Sequence, residues 1–292
     1  MAITATKFFS LDPARLTPDV EDSFFTDLKT YNNTFKRTAS HRFRDLDDCC
    51  VRHFDEMGVR LAEVLDIGVS SGSTTLDLCD RLHAAGQSAR IVGTDLSLTG
   101  YLMPVMPGLR VLVDENGHPL QYEVFGKAIR AWGRRADYVT GMIFVRGLLH
   151  FLCEDRVHRR LHEHDGSLRP LQLLSPRLRN RADIRIEKND IFSRTGHFVE
   201  RFDFIRAANI LNHGYFDETT LRRGFANVVS YLSGPGAWLL VARTNGAANA
   251  ATLFRVSPDG RRLLVVDRIG GGSEVERLAL WAPLPFRRME AS

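Results

Sequence analysis

The chain has 292 residues, of which 44% are hydrophobic and 25% are charged, a balance that excludes a fibrous or wholly disordered protein. Its length predicts one large domain or two small ones, with enough chain to bury a core without disulfides. Lys and Arg number 39 against 35 Asp and Glu, and a net charge of only +4 does not indicate a nucleic-acid partner.

The cysteines and the apolar stretches restrict the environment of the chain. Its four cysteines form no CxxC pair, and the adjacent Cys49 and Cys50 are poor disulfide partners, so we expect reduced, core-packed thiols in a cytoplasmic protein. Asp12 and Asp19 interrupt the first twenty residues, so we expect no signal peptide. The most apolar stretch, residues 139–153, is shorter than the roughly 20 residues of a membrane span, which predicts no transmembrane segment.

Helical patterns occupy the first part of the chain. Thr17 is a candidate N-cap followed by Pro18 at the first helical position, and large apolar residues recur after it at helical spacing. A second helix is predicted to begin near Ser40 and to continue to about Met57. Residues 1–60 are therefore predicted to form an N-terminal helical segment.

Strands that alternate with helices follow this segment. An apolar run at 64–68 ends in an acid and a glycine, a helical stretch follows, and a second strand at 91–95 again ends in an acid. This order is typical of a doubly wound α/β sheet, and it resumes after residue 183. The elements predicted there are strands at 184–186, 202–205 and 238–242, a helix at 218–232, and a hairpin of 251–256 with 262–266. The predicted fold is thus a Rossmann-like domain of 61–100 and 183–292, with a C-terminal antiparallel hairpin.

The segment between the second and third strands is too long for a single crossover helix, so residues 101–182 are predicted to be an insertion. It is expected to open with a hairpin of 109–113 and 121–125. Residues 128–185 carry twelve Arg against six Asp and Glu and are the basic part of the chain. Because the insertion leaves the sheet at the carboxyl end of a strand, we expect it to form a lid or a substrate-side subdomain.

The strongest local signal is the turn Asp66-Ile67-Gly68-Val69-Ser70-Ser71-Gly72. Glycines between a strand and a helix let the backbone approach a ligand, and the first N–H groups of the helix attract negative charge. Asp95, at the carboxyl end of the next strand, is placed to accept hydrogen bonds from two ribose hydroxyls, or else to act as an ordinary helix N-cap. The preceding glycine turn favours ribose binding.

The ordered set of motifs resembles the class I S-adenosylmethionine-dependent methyltransferases. It consists of the DxGxxxG turn, the strand that ends in Asp95, the tripeptide Asn189-Asp190-Ile191, the strand at 202–205, and the run LSGPGAWLLVAR. The resemblance covers about a third of the chain and implies that S-adenosyl-L-methionine is the cofactor. It further implies these cofactor-binding residues: Asp66, Gly68 and Gly72 at the methionine end, Ser70 on the same turn where the family often has glycine, Asp95 at the ribose, and Asp190 and Ile191 at the adenine.

A narrower likeness concerns the methyl acceptor. Residues 208–223 are similar to a segment of the chemoreceptor glutamate methyltransferases, which places Asn209 at the mouth of the transfer site, where it is otherwise a turn-forming residue. His213 and Tyr215 are the candidate general bases, needed only where the acceptor arrives protonated. We therefore predict a methyltransferase acting on an unidentified small molecule, such as a carboxylate or another small anionic, partly apolar acceptor.

Other functions fit parts of the sequence less well. A nicotinamide-dependent oxidoreductase would use the same turn, but the turn lacks the GxGxxG spacing. A cofactor- or lipid-surface-binding module without turnover would use the basic insertion, but the apolar run at 142–152 is more typical of a buried helix face, so peripheral membrane contact is disfavoured. His158, His162 and His164 lie among charged residues and are typical of a solvated helix, so no metal site is predicted.

Overall fold

Helices and strands alternate along most of the chain. The computed structural model describes residues 2–31, 36, 41–163, 168, 170–246 and 248–286. Within these ranges the α-helices are α1 (Ala5–Ser10), α2 (Pro18–Thr26), α3 (Arg44–Glu56), α4 (Ser73–Ala84), α5 (Ala136–Val139), α6 (Met142–Glu163), α7 (Glu218–Ser230) and α8 (Glu276–Trp281). The strands are β1 (Glu63–Ile67), β2 (Arg90–Asp95), β3 (Thr99–Met106), β4 (Leu109–Asp114), β5 (Pro119–Val124), β6 (Lys127–Arg130), β7 (Pro170–Gln172), β8 (Ile184–Lys188), β9 (Phe204–Ala208), β10 (Trp238–Asn245), β11 (Ala248–Val256) and β12 (Leu263–Ile269).

The larger sheet has seven strands in the order β12-β11-β10-β9-β1-β2-β8. Five adjacent strands of this sheet are parallel to one another: β8, β2, β1, β9 and β10. Strand β11 is antiparallel to both β10 and β12. The parallel strands are joined by helices or by longer segments, and the antiparallel ones by short turns, as their geometry requires. The predicted fold class, a doubly wound α/β sheet with a C-terminal antiparallel hairpin, is confirmed.

Helices cover both faces of this sheet because strand side chains alternate between the faces. On one face, the Phe54 ring of α3 lies 5.2 Å from the rings of Phe204 and Trp238, on β9 and β10, in edge-to-face contacts. On the opposite face, Ile205 and its neighbours pack against α7 and α8. The buried residues that β9, β10, α7 and α8 contribute to that core include Ile205, Ala207, Leu239, Val241, Leu221, Phe225, Val228, Val229, Leu278 and Ala279.

The second sheet is antiparallel, with the strand order β6-β5-β4-β3-β7. Strands β4 and β5 form the expected hairpin, and Asn116 and Gly117 lie between the two strands. On one face, Leu112 and Leu120 pack with Phe8, Phe24 and Phe25 of the N-terminal helices α1 and α2. On the other face, the sheet packs against the inner side of α6; the members of that core include Val111, Val113, Tyr122, Leu149, Cys153 and Val157.

The chain divides into two units. The described residues of Met1–Ser40, Ser70–Ser73 and Ser97–Asn180 form the antiparallel-sheet unit, and those of His41–Val69, Thr74–Leu96 and Arg181–Ser292 form the parallel-sheet unit. The division of the N-terminal segment falls near residue 40, because α1 and α2 pack on the antiparallel sheet whereas α3 packs on the parallel one. Among the described residues, no helix has both the length and the apolar character that crossing a membrane requires.

The contacts of Phe54 generate a prediction about stability. We expect Phe54→Ala to lower the free energy of unfolding by about 3–5 kcal/mol, because it removes a fully buried ring and leaves a cavity between α3 and the sheet. The control is Phe144→Ala, since that ring is 80% exposed and its loss is expected to change the free energy by less than about 0.5 kcal/mol. Urea unfolding followed by circular dichroism measures both values, and equal effects would contradict the packing described here.

Candidate functional site

The polar residues singled out by the sequence follow neighbouring parallel strands. Register pairs Ile67 of β1 with Thr94 of β2 and with Ala207 of β9, and it pairs Asp95 of β2 with Lys188 of β8. The carboxyl ends of these four strands therefore lie side by side. Gly68, Asp95, Asp190 and Asn209 end these strands or follow them within two residues, so the fold brings them to one edge of the sheet.

The turn after β1 depends on the glycine at position 68. Gly68 has a φ of +78°, in the left-handed region that side chains disfavour. Its N–H donates to the Thr94 carbonyl at 2.7 Å, and the Val69 N–H donates to the same carbonyl at 3.0 Å. A Cβ at Gly68 would lie 2.3 Å from the Ile210 side chain. Both the conformation and the space therefore require glycine here.

Ser70 and Gly72 continue this turn and group with the antiparallel-sheet unit. Ser70 has a φ of +59°, in the left-handed region that glycine adopts at least cost. The Lys36 Nζ donates to the Ser70 carbonyl at 3.1 Å. Gly72 has a φ of +83°, and a Cβ there would lie 2.4 Å from the Leu178 side chain.

The Asp66 carboxylate is engaged inside the fold. Arg206 Nε donates to its Oδ1 at 2.8 Å, Arg206 Nη2 donates to its Oδ2 at 2.7 Å, and the Thr75 hydroxyl also donates to Oδ2, at 2.7 Å. Asp66 is only 3% exposed. The side chain therefore stabilises the end of β1 and the start of α4, and the cofactor contact that the resemblance implies for it stays a prediction.

Arg206 is a residue that the sequence analysis did not single out. It is fully buried, and besides Asp66 it donates to both carboxylate oxygens of Asp47 on α3, at 2.9 and 3.2 Å, and to the Thr74 carbonyl. Burial raises the pKa of Asp47 to about 6, although the Arg206 guanidinium opposes this shift. The only sequence signal was an arginine within the otherwise apolar run 204–208.

Asp95 and Asp190 lie on adjacent strand ends. Asp95 is half-buried at the end of β2, and its carbonyl accepts from the Asn189 N–H at 3.1 Å. Asp190 is also half-buried; its Oδ1 accepts from the Phe192 N–H at 2.9 Å, which closes a local turn. Ile191 is 8% exposed and belongs to the core beside α7. The two carboxylates therefore lie at the same sheet edge, whereas most of Ile191 packs inward.

The three candidate catalytic residues have different surroundings. Asn209 has a φ of +62°; its Oδ1 accepts from the Thr244 N–H at 2.7 Å, and its Nδ2 donates to the Thr244 hydroxyl at 3.2 Å. Its amide is thus bound to β10. His213 is exposed, with its N–H donating to Glu274, and Tyr215 is 61% exposed. All three residues follow β9, and the side chains of His213 and Tyr215 face solvent.

The cysteines are all free, and all four lie in the core. Burial raises the pKa of Cys49 and of Cys153 to about 11 and that of Cys79 to about 12, so these thiols are protonated at neutral pH and are poor nucleophiles. Cys49 and Cys79 each have a histidine one helical turn later, His53 and His83, a spacing that the sequence analysis overlooked.

The histidines of the basic helix give no metal site among the described residues. His158 lies exposed on α6, whereas His164 lies outside the described residues. The two clusters of potential metal ligands within the described ranges lie elsewhere, in the parallel-sheet unit.

Comparison with known proteins gives likenesses to solved structures. No protein-family model and no curated protein matches the chain. The N-methyltransferase NodS from Bradyrhizobium japonicum WM9, in complex with S-adenosyl-L-homocysteine, is 16% identical over 70% of this chain and 62% of that chain, with a TM-score of 0.32. The amino pentose methyltransferase CalS10 from Micromonospora echinaspora, bound to S-adenosylmethionine, is 14% identical over 79% of this chain and 71% of that chain, with a TM-score of 0.31.

The CurJ carbon methyltransferase is 14% identical over 83% of this chain and 45% of that chain, with a TM-score of 0.37. The matching part covers 62%, 28% and 45% of the first three similar structures, less than two thirds of each. NodS, CalS10 and CurJ are all named as methyltransferases.

The buried Asp47 generates a prediction about pH dependence. Its pKa rises from 3.8 to about 6 on folding, so between these values the unfolded chain releases a proton that the folded chain retains. Stability from this group is therefore lost as the pH rises from 4 to 7, by about 3 kcal/mol at most. Asparagine does not ionise, so the free energy of unfolding of Asp47→Asn minus that of the wild type is expected to rise by up to about 3 kcal/mol from pH 4 to pH 7, whatever the substitution costs at pH 4.

Urea unfolding of both proteins at pH 4 and pH 7 measures this difference. The control is Asp55→Asn on the exposed side of the same helix, which is expected to leave the pH dependence unchanged. A stability difference between Asp47→Asn and the wild type that stays constant from pH 4 to pH 7 would contradict the assigned shift.

Proposed function

We propose that this chain is an S-adenosylmethionine-dependent methyltransferase whose cofactor lies at the carboxyl edge of the parallel sheet. One observation carries the proposal. Among the adjacent parallel strands, β1 is followed by a left-handed glycine turn at Gly68, β2 ends in Asp95, and Asp190 follows β8 by two residues. This is the order of cofactor-binding elements that the family resemblance implies, and a doubly wound sheet binds ligands at this edge.

The residues present fit the cofactor, with one change of role. At Gly68 the backbone can approach a ligand, and the following helix α4 offers N–H groups that favour a carboxylate such as that of the methionine moiety. Ser70 and Gly72 extend the same turn. Asp66 is 3% exposed and accepts three hydrogen bonds from Arg206 and Thr75, so we assign it to shaping the turn instead of contacting the ligand.

Asp95 and Asp190 are the acids assigned to the adenosine moiety. Asp95 is half-buried at a strand end, which suits a carboxylate that accepts hydrogen bonds from two ribose hydroxyls. Asp190 accepts a backbone hydrogen bond through Oδ1, and Oδ2 lies 3.4 Å from the Ser193 hydroxyl, which leaves acceptor capacity on this carboxylate for the adenine amino group. Ile191 would present only its small exposed part to the ring.

The chemistry of transfer is supplied by the sulfonium methyl group of the cofactor, and the protein contributes position and orientation. Asn209 is bound to Thr244 and would shape the rim of the site. His213 and Tyr215 are the exposed groups able to accept a proton from a protonated acceptor. The surplus of arginine over residues 128–185 supports a small anionic acceptor such as a carboxylate.

Calorimetric titration with S-adenosylmethionine tests the cofactor site. We expect Asp95→Ala to weaken binding by about 1–3 kcal/mol, or roughly 5- to 150-fold, because ribose hydroxyls lose their acceptor. The matched control is Asp55→Ala, an exposed acid near the end of α3, which leads to the amino end of β1 at the opposite edge of the sheet. Unchanged affinity in a folded Asp95→Ala protein would refute the ribose assignment.

Turnover is tested with small carboxylic acids and amines as acceptors. We expect release of S-adenosylhomocysteine to increase with acceptors that carry an anionic group, and His213→Ala to reduce turnover without changing cofactor affinity where the acceptor is protonated. Mass spectrometry of the acceptor identifies the methylated product. Tight cofactor binding without methylation of any acceptor would favour a cofactor-binding module over an enzyme.

A further inference from the structure

A cysteine, a histidine and an aspartate meet on the α3 side of the parallel sheet, at its edge strand β12. Cys49 and His53 lie one turn apart on α3, and Asp267 lies on β12, the last strand of the sheet. The Cys49 Sγ is 3.3 Å from the Asp267 Oδ2, and the His53 Nε2 is 2.9 Å from the same oxygen. One ligand atom from each residue falls within 4.8 Å of the other two.

These separations approach those around a tetrahedral zinc ion. With zinc bonded to sulfur at about 2.3 Å and to nitrogen and oxygen at about 2.0–2.1 Å, tetrahedral angles place sulfur and oxygen about 3.5 Å apart and nitrogen and oxygen about 3.3 Å apart. The observed separations are a few tenths of an ångström shorter, and small rotations of the side chains correct this. The ligand atoms of Cys49 and His53 lie within 4.8 Å of each other, and rotation of the two side chains would have to bring them to about 3.5 Å around an ion.

The surroundings of the histidine also suit a metal ligand. While Nε2 faces Asp267, Nδ1 lies 3.5 Å from the Glu56 Oε2, and metal-bound histidines commonly direct their second nitrogen to a carboxylate. The side chains of His53 and Asp267 are 18% and 33% exposed, so the site opens to solvent on one side. Water would then complete the coordination.

We propose that Cys49, His53 and Asp267 form a zinc site that fastens helix α3 to strand β12. A thiolate, a carboxylate and a neutral imidazole balance the charge of the divalent ion, and the Cys49 proton leaves to solvent when the sulfur binds. Arg52 Nη2 lies 3.5 Å from both Cys49 Sγ and Asp267 Oδ2. Its side chain is 59% exposed, so it can turn into solvent as the ion enters.

A second cluster with the same spacing supplies an internal control. Cys79 and His83 lie one turn apart on α4 and face Asp183. There, Arg181 donates to both carboxylate oxygens, with Nε 2.9 Å from Oδ1 and Nη2 2.8 Å from Oδ2. Because Arg181 already neutralises the carboxylate, we expect this second cluster to bind no zinc.

Cobalt titration of the full chain tests the proposal, because Co²⁺ bound to thiolate gives a near-ultraviolet charge-transfer band. The chelator-treated chain is titrated with Co²⁺ in a reductant that contains no thiol. We expect the band to saturate at one ion per chain and to disappear when Zn²⁺ is added. Cys49→Ser should abolish the band, whereas the matched Cys79→Ser should keep it. Asp267→Asn should weaken binding at least about ten-fold, and Asp183→Asn should not.

Several results would overturn the proposal: a wild-type chain without the band, a band that survives in Cys49→Ser, or one that Cys79→Ser removes. Circular dichroism checks that each variant is folded. If Cys49→Ser does not fold, His53→Gln provides the same test with the thiol intact, and unchanged cobalt affinity in that variant would contradict the site. Zinc is also expected to raise the melting temperature of the wild type and not that of His53→Gln, and an equal rise in both would argue against it.

Discussion

The buried guanidinium of Arg206 is the interaction on which the candidate cofactor edge depends. It is fully buried and donates to Asp66 on β1, to Asp47 on α3 and to the Thr74 carbonyl at the start of α4. Removing one partner from such a group leaves an uncompensated buried charge, at a cost of roughly 3–5 kcal/mol. The position of the turn after β1 is therefore coupled to helix α3, which precedes it, and to strand β9, which lies far along the chain.

This coupling determines which groups remain for a ligand. Because Asp66 is buried and bonded to Arg206, the proposed site would rely on the first N–H groups of α4 and on the left-handed turn at Gly68 instead of this carboxylate. The acids assigned to the adenosine moiety are Asp95, at the end of β2, and Asp190, two residues after the neighbouring strand β8. In the proposed site, backbone groups of the turn would bind the cofactor beside Asp95 and Asp190. The buried ion cluster of Arg206, Asp66 and Asp47 would hold the turn in position without contacting the cofactor.

The two clusters of cysteine, histidine and aspartate share a spacing but differ in the cation beside the carboxylate. Both place the cysteine and histidine four residues apart on a helix, and both add an aspartate from a distant segment. In one, Arg181 donates to both oxygens of Asp183, whereas in the other Arg52 stays largely exposed and contacts one oxygen of Asp267 at 3.5 Å. The competing cation, not the ligand set, distinguishes them.

The sequence by itself determined the features that depend on neighbouring residues: the parallel strands, the glycine turn at Gly68, the acids at strand ends and the hairpin of β4 and β5. Apolar runs, glycine positions and turn residues are local signals that survive folding. Tertiary structure alone decided the partners of Arg206, which lie 140 and 159 positions away, and the packing of α1 and α2 on the antiparallel sheet. Long-range contacts are selected by complementary shape and charge across the whole fold, and no local pattern encodes them.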